Sequence, residues 1–455
     1  MTAIITSQFR LNMAKKLIDD IKSTGNSYYL FTGRSEQWTP SDVDPDTPYD
    51  NLYSTHYDAY QKMQSLKKIA ENDVSFATPR YQWSPGTAFS EFDDRDPLLG
   101  DSKYFVISDN NNVYICLKSD GYSTINPDIA GIKTNGVSPS SDGYIWKYLY
   151  TLDSAAATKF LTSSFVPVDY ITSTVGGASG VSQAIANQYA VQNNAVHGAI
   201  YNIKITTGGS GYSVVPTLEV VGDGTGATAT AVLTGDIITG VDVTNPGQNY
   251  TQASVVITNG TPTTDASLRP VLGPIGGFGK DPRNDLRAHY TAINTTLTYD
   301  EAGVFVINND FRQIGIVRNP FTLGGTTVAT ALSLSATKNM TVGVSNSFNS
   351  DDVIEGLTTG AKAIVDYYTN TTGSIWQGKI RYHQNEETGF TDFAANEKVR
   401  KVGTSIAGST ITNFTNPTSI TNVHPYTGDV IFLENRTAVS RSIDQIETIK
   451  LVLEL

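Results

Sequence analysis

Tyr104-Phe105-Val106-Ile107-Ser108-Asp109-Asn110-Asn111-Asn112-Val113-Tyr114-Ile115-Cys116-Leu117 places a run of β-branched and aromatic residues on each side of an Asp/Asn turn. Such side chains suit a pleated, half-buried surface, and Asp and Asn tolerate the backbone that a tight reversal needs. Tyr144 to Thr151 repeats the pattern after the turn signal Ser140-Ser141-Asp142-Gly143, and Ser84-Pro85-Gly86 punctuates the approach. Residues 74–175 therefore read as a run of short strands containing two antiparallel hairpins.

Working outward, the same texture dominates the chain. Hydrophobic residues make up 39% and charged residues only 17%, and the remaining polarity comes from Ser, Thr, Asn and 39 Gly. That is a β-and-turn composition, and the 10% aromatic content separates it from a disordered chain. A length of 455 residues implies about two to four domains. The net charge of −12 repels phosphate backbones and anionic membrane faces, so neither nucleic acid nor membrane is expected as a partner. No apolar run approaches the roughly 20 residues of a membrane span and no leader-like segment opens the chain, which points to a soluble protein made in a cytoplasm. The single Cys116 sits in a strand-like run and reads as a small buried hydrophobe.

On the N-terminal side, Phe9, Met13, Leu17 and Ile21 fall at i, i+4 spacing, with Thr6 or Ser7 as cap and Gly25 as stop, predicting a helix. Ser27 to Thr32 reads as a strand ended by Gly33. A Pro- and Asp-rich loop runs from Trp38 to Asp50, and Tyr53, Tyr57, Tyr60, Met63 and Leu66 predict a second helical stretch. On the C-terminal side, Ile203-Lys204-Ile205-Thr206-Thr207-Gly208-Gly209-Ser210-Gly211-Tyr212 is echoed by Val241-Asp242-Val243-Thr244-Asn245-Pro246-Gly247-Gln248-Asn249-Tyr250. The offset of about 38 residues marks a duplicated β unit with a Gly-rich turn and a Tyr plug. Residues 320–417 read as a further β insertion, a small barrel or sandwich, before Gly428 to Glu434 and Ile446 to Leu455 resume the parent pattern. The expected fold is mainly β: a multi-domain β-sandwich protein with a few short helices and two inserted small β modules. Residues 1–96, 273–319 and 420–455 are expected to form a discontinuous core domain with the N-terminal helix. Residues 97–180 are assigned to a second β domain, 195–272 to the module with the tandem Gly-Tyr repeat, and 320–419 to the inserted β domain.

No constellation for chemistry emerges, and no catalytic, cofactor-binding or metal-ligating residue is assigned. His56, His197, His289, His383 and His424 lack ligand-type spacing. Gly273-Pro274-Ile275-Gly276-Gly277-Phe278-Gly279-Lys280 imitates a phosphate loop, but Pro274 stands where its first glycine belongs and Asp281 where Ser or Thr should follow the lysine. Asp42, Asp44, Asp46 and Asp50 alternate like the start of a calcium loop, yet lack its Gly and its closing Glu. Glu91, Asp93, Asp94 and Asp96 crowd a loop where a glycosidase pair would have to be held apart. Both clusters read as solvated surface, and no enzyme activity is expected.

Several stretches, in their order along the chain, resemble the baseplate wedge subunit of T-even-like contractile-tailed phages (myoviruses), in the longer form carried by many marine phages. They are Tyr28-Tyr29-Leu30-Phe31-Thr32-Gly33-Arg34 with Trp38, then Met63-Gln64-Ser65-Leu66-Lys67-Lys68-Ile69 and Asp73-Val74-Ser75. Pro79-Arg80-Tyr81-Gln82-Trp83-Ser84-Pro85-Gly86-Thr87 follows, with the distinctive pair Val113 to Leu117 and Asp142-Gly143-Tyr144-Ile145-Trp146-Lys147-Tyr148-Leu149-Tyr150. Asp310-Phe311-Arg312-Gln313-Ile314-Gly315 and Glu434-Asn435-Arg436-Thr437-Ala438-Val439-Ser440-Arg441 complete the set. The similarity spans residues 1–175, 273–320 and 425–455, and leaves 198–272 and 320–417 as insertions. It implies a β-sandwich virion protein without a cofactor that forms a homodimer and joins other wedge subunits around the tail hub. It further implies a baseplate that rearranges as the sheath contracts, and assembly in the host cytoplasm. The N-terminal helix and the Trp38–Asp50 loop are the expected docking elements. Two rivals stand beside it: a receptor- or carbohydrate-binding tail protein, which Tyr, Trp and the β inserts would suit, and a tail-associated glycosidase, for which no separated carboxylate pair is visible.

Overall fold

The computed structural model describes residues 4–172, 182–301, 303–343, 347–371, 377–405, 407–414 and 422–455. The protein is mainly β and forms two compact units. One comprises Met1–Ile18, Ser75–Ala292 and Val452–Leu455, the other Asp19–Val74 and Ile293–Leu451.

The second unit is built on a five-stranded antiparallel sheet in the order Ser333–Ser335, Met63–Lys68, Tyr28–Gly33, Asp310–Arg318, Asp429–Ser440. Leu30 lies opposite Ile316 and Phe31 opposite Gly315, where a Cβ would overlap the Phe31 ring. Tyr29, Phe31, Met63, Leu66, Val317 and Leu334 form its core. The helical stretch expected to reach Leu66 ends at Lys62; Met63 to Leu66 are buried in the sheet. Two contacts explain the switch. Gly33 has no Cβ to block the Lys62 carbonyl, which accepts the Arg34 N–H at 2.9 Å, and Leu66 is then paired on both sides, by Phe31 and Leu334.

Residues 338–414 of this unit form a closed barrel of six antiparallel strands among the described residues. Lys338–Gly343 closes it by pairing with Gln377–His383 on one side and Ser409–Phe414 on the other. Met340, Val342, Ile354, Val365, Ile380 and Val399 fill the interior. Closure leaves no free sheet edge, which suits a module inserted between two strands of the parent sheet.

In the first unit, Phe105–Ile107, Asn112–Lys118, Ile145–Thr151 and Ser138–Pro139 form an antiparallel sheet in that order. Trp83, Phe89, Tyr114, Tyr144, Trp146 and Tyr148 pack into its core, with Cys116 fully buried among them. Two helices that strand-like texture does not announce complete this part. Asp153 caps Ser154–Phe160 by accepting the Ala155 and Ala156 N–H groups, and Ser182 caps Gln183–Asn193.

The duplicated unit is legible in the backbone. Gly209 and its counterpart Gly247 both have positive φ, as do Gly211 and its counterpart Asn249. These turns drive Tyr212 and Tyr250 into a shared core, where their hydroxyls accept the backbone N–H groups of Ala266 and Ala227. Thr217–Gly222 and Ala253–Thr258, which follow the two plugs, pair with each other antiparallel.

The N-terminal helix runs over Ser7–Lys22. Its buried residues are Leu11, Ala14, Ile18 and Ile21, whereas Phe9 and Met13 of the expected stripe face solvent.

Candidate functional site

Among the described residues, a constellation of a catalytic type lies inside the second unit, and spacing along the chain could not have exposed it. His383 ends a barrel strand, Asp366 lies on the neighbouring one, and Glu36 follows the strand Tyr28–Gly33. His383 Nδ1 meets the Asp366 carboxylate at 2.9 and 3.1 Å, and Nε2 meets Glu36 Oε1 at 3.2 Å. Gln64 donates to Asp366 at 3.3 Å, Asn309 to its carbonyl at 3.0 Å, and Asn385 to Glu36 at 3.0 Å. Burial opposes the imidazolium, but carboxylates on both nitrogens outweigh it and lift the His383 pKa well above the ordinary value. Burial likewise opposes the Glu36 carboxylate, and the hydrogen bond and charge of His383 outweigh it and hold Glu36 below the usual range. An imidazolium between two carboxylates has no free nitrogen with which to take a proton from a substrate. The arrangement locks the barrel strands to the segment after the first strand of the sheet.

Of the first acidic cluster, Asp44, Asp46 and Asp50 are exposed and Asp42 is engaged. The Asp42 carboxylate takes a bidentate grip from buried Arg312, at 2.9 and 2.7 Å, and accepts the Trp38 N–H at 2.7 Å. Asp42 is thereby turned onto a cation, and the described residues contain no group of three or more acidic, His or Cys side chains that could hold a metal ion. The Trp38 indole donates to the Arg436 carbonyl at 2.9 Å, and Arg34 stacks 3.7 Å from its ring, so the start of the Trp38–Asp50 loop is pinned.

In the first unit, Glu91, Asp93 and Asp94 receive the duplicated module. Lys204 reaches Glu91 at 3.2 Å and Asp93 at 2.8 Å, and Arg269 reaches Asp93 at 2.6 Å and Asp94 at 2.7 Å. Asn202 adds a bond to Glu91 at 3.0 Å. Burial would raise the Asp93 carboxyl, but bonds from Lys204, the Arg95 N–H and Arg269 outweigh it and bring its pKa down to about 2. The solvated cluster expected from sequence is therefore a docking socket. No motif gave it away, because Lys204 and Arg269 lie in the two outermost strands of the module.

The pseudo-phosphate loop folds into tight turns. Gly277 has positive φ and leaves no room for a Cβ against the Val196 carbonyl, and Gly276 donates to His197 Nδ1 at 3.1 Å. Beyond it, Asp285 is buried; its Oδ2 accepts the Gly279 N–H at 2.6 Å and its Oδ1 has no partner among the described residues. Burial pushes the Asp285 carboxyl up to about 8 and also depresses the buried Lys147.

One cavity in the second unit, of about 300 Å³, is lined by Tyr60, Met63, Tyr382, Phe390, Val423 and Tyr426 among others. Its polar walls are already engaged: Tyr60 donates to the Gly428 carbonyl at 2.5 Å, and Gln384 bonds Lys362, Thr391 and Lys338. No helix among the described residues is long and apolar enough to cross a membrane. Neither a protein-family model nor a curated protein matches the chain.

Proposed function

We propose that the chain is a structural subunit of a phage tail baseplate wedge, assembling as a homodimer with other wedge proteins around the hub and moving with the baseplate as the sheath contracts. The observation that carries this is where the resembling segments lie. Tyr28–Gly33, Met63–Lys68, Asp310–Arg318 and Asp429–Ser440, far apart in sequence, are consecutive strands of one sheet. Asn112–Lys118 and Ile145–Thr151 are likewise adjacent strands of another. The stretches outside the resemblance fold into the duplicated module and the closed barrel. A parent fold interrupted by two self-contained modules matches that pattern. The engaged state of His383, Asp42 and the Glu91–Asp94 cluster also fits a protein whose charged groups fasten parts together. The test is immunogold labelling of purified virions with an antibody to the barrel. Label at the base of the tail supports the proposal; label at fibre tips, on the capsid or nowhere overturns it.

A further inference from the structure

The N-terminal helix carries two apolar faces. Leu11, Ala14 and Ile18 are buried, whereas Phe9 and Met13, spaced i, i+4, stand 56% and 44% exposed, and Ile5, 62% exposed, lies just ahead of the first turn. At about 100° per residue the second set lies on the side opposite the first. A surface helix ordinarily shows a polar outer face, so these two large apolar side chains, with Ile5 just ahead of the helix, form an unpartnered stripe. The stripe is cationic as well. Lys16 continues its line and Lys15 is likewise exposed; residues 4–18 contain no Asp or Glu, and of Asp19 and Asp20, which follow in the helix, Asp20 is paired with Arg318 at 3.2 Å. Ile5 and Arg10 also line a groove of about 260 Å³ that includes Arg287. Asp101 and Glu454 are the acidic groups there, and Glu454 pairs with Arg10 at 3.2 Å. On a chain of net charge −12 this patch inverts the local sign.

We propose that the stripe seats an amphipathic segment of another protein that presents apolar side chains flanked by Asp and Glu. Apolar contact along Ile5, Phe9 and Met13 supplies the burial, and Lys15, Lys16 and Arg287 select the charge and steer the encounter. A protein segment fits better than a lipid surface. A planar bilayer cannot enter the groove, and an extended anionic surface would meet the acidic remainder of the chain, whereas a single segment meets only the patch. The proposal rests on the reading of the chain as an assembly subunit.

The test uses the full chain and two short fluorescent helical peptides with the same leucine stripe, one flanked by Glu and the other by Lys. Anisotropy is expected to show binding of the Glu-flanked peptide that weakens as salt is raised. Phe9→Ser with Met13→Ser, and separately Lys15→Glu with Lys16→Glu, are each expected to weaken it by about tenfold. The charge reversal is further expected to favour the Lys-flanked peptide. All four positions are solvent-facing, and circular dichroism verifies that the variants fold. Equal binding of the two peptides, no binding, binding unmoved by the substitutions, or a preference for phosphatidylglycerol vesicles overturns the inference. If these results fail while virion labelling still marks the tail base, the docking stripe alone falls. If the tail base is unlabelled, the assembly reading falls whatever the peptides do.

Discussion

At the scale of single residues, Asp285 is the clearest case of a group held in an uncomfortable state. Its Oδ1 has no partner among the described residues and burial raises its carboxyl to about 8, so near neutral pH it folds as the neutral acid. The folded state binds a proton that the unfolded state, with a carboxylate pKa of about 3.9, has released. Stability contributed by this group is therefore present in acid and falls as pH rises from about 4 to about 8. Asp285→Asn keeps the acceptor for the Gly279 N–H and removes the titration. Chemical denaturation of the variant is expected to match the native chain near pH 4 and exceed it at pH 9 by at least about 1 kcal/mol. Equal stability at both pH values would show that solvent reaches the carboxyl. The two tyrosine plugs allow a paired test. Each hydroxyl accepts one backbone N–H, at 2.8 Å from Ala266 and 3.3 Å from Ala227. Tyr212→Phe and Tyr250→Phe should each cost about 1 kcal/mol in thermal unfolding, with the larger loss at Tyr212, whose bond is shorter.

At the scale of elements, charged clasps fasten the inserted modules to the bodies that carry them. Removing His383 strands Asp366 and Glu36 as buried carboxylates, so His383→Leu should destabilise the second unit by about 3–5 kcal/mol. The pH window follows from the two directions of shift. Glu36 is lowered, so its contribution is complete above its unfolded pKa of about 4.5 and is lost as pH falls. His383 is raised, so its contribution is complete below about 6.5 and is lost as pH rises through its elevated pKa. Hydrogen exchange in the barrel strands is thus expected to be slowest between about pH 4.5 and 6.5 after correction for intrinsic rates. A flat profile would show that His383 and Glu36 do not titrate with folding. Little of this is visible in sequence. The hairpin around Asp109–Asn112 is legible because its turn and its apolar runs are local, and the Gly209/Gly247 repeat because positive φ demands particular residues. The spacing of Phe9, Met13, Leu17 and Ile21 announces a helix but not its inward face, since Leu11, Ala14, Ile18 and Ile21 fit the same period. The end of the helical stretch at Lys62 depends on room beside Gly33, and the His383 trio on bringing Glu36 to a pair of barrel strands more than three hundred residues further along the chain. Only tertiary pairing creates those features.

At the scale of the whole molecule, neither unit is a contiguous piece of chain, since the backbone passes between them after Ile18, Val74, Ala292 and Leu451. A single proteolytic cut therefore releases neither unit whole, which would suit the assembly role proposed above. The state of association is what separates the proposed wedge role from its chief rival. Light scattering over a concentration series is expected to give a stable species at twice the chain mass of 49.1 kDa. A species of three chains would favour a fibre or receptor-binding protein and direct the next experiment to glycan arrays. The docking stripe adds a discriminating arm. An exposed apolar helix face that awaits a different protein should leave the dimer intact, so Phe9→Ser with Met13→Ser should not change the measured mass. If the doubled species instead dissociates in that variant, the stripe is a contact between copies of this chain, and the acid-flanked partner is displaced by a second subunit whose matching helix covers the same side chains.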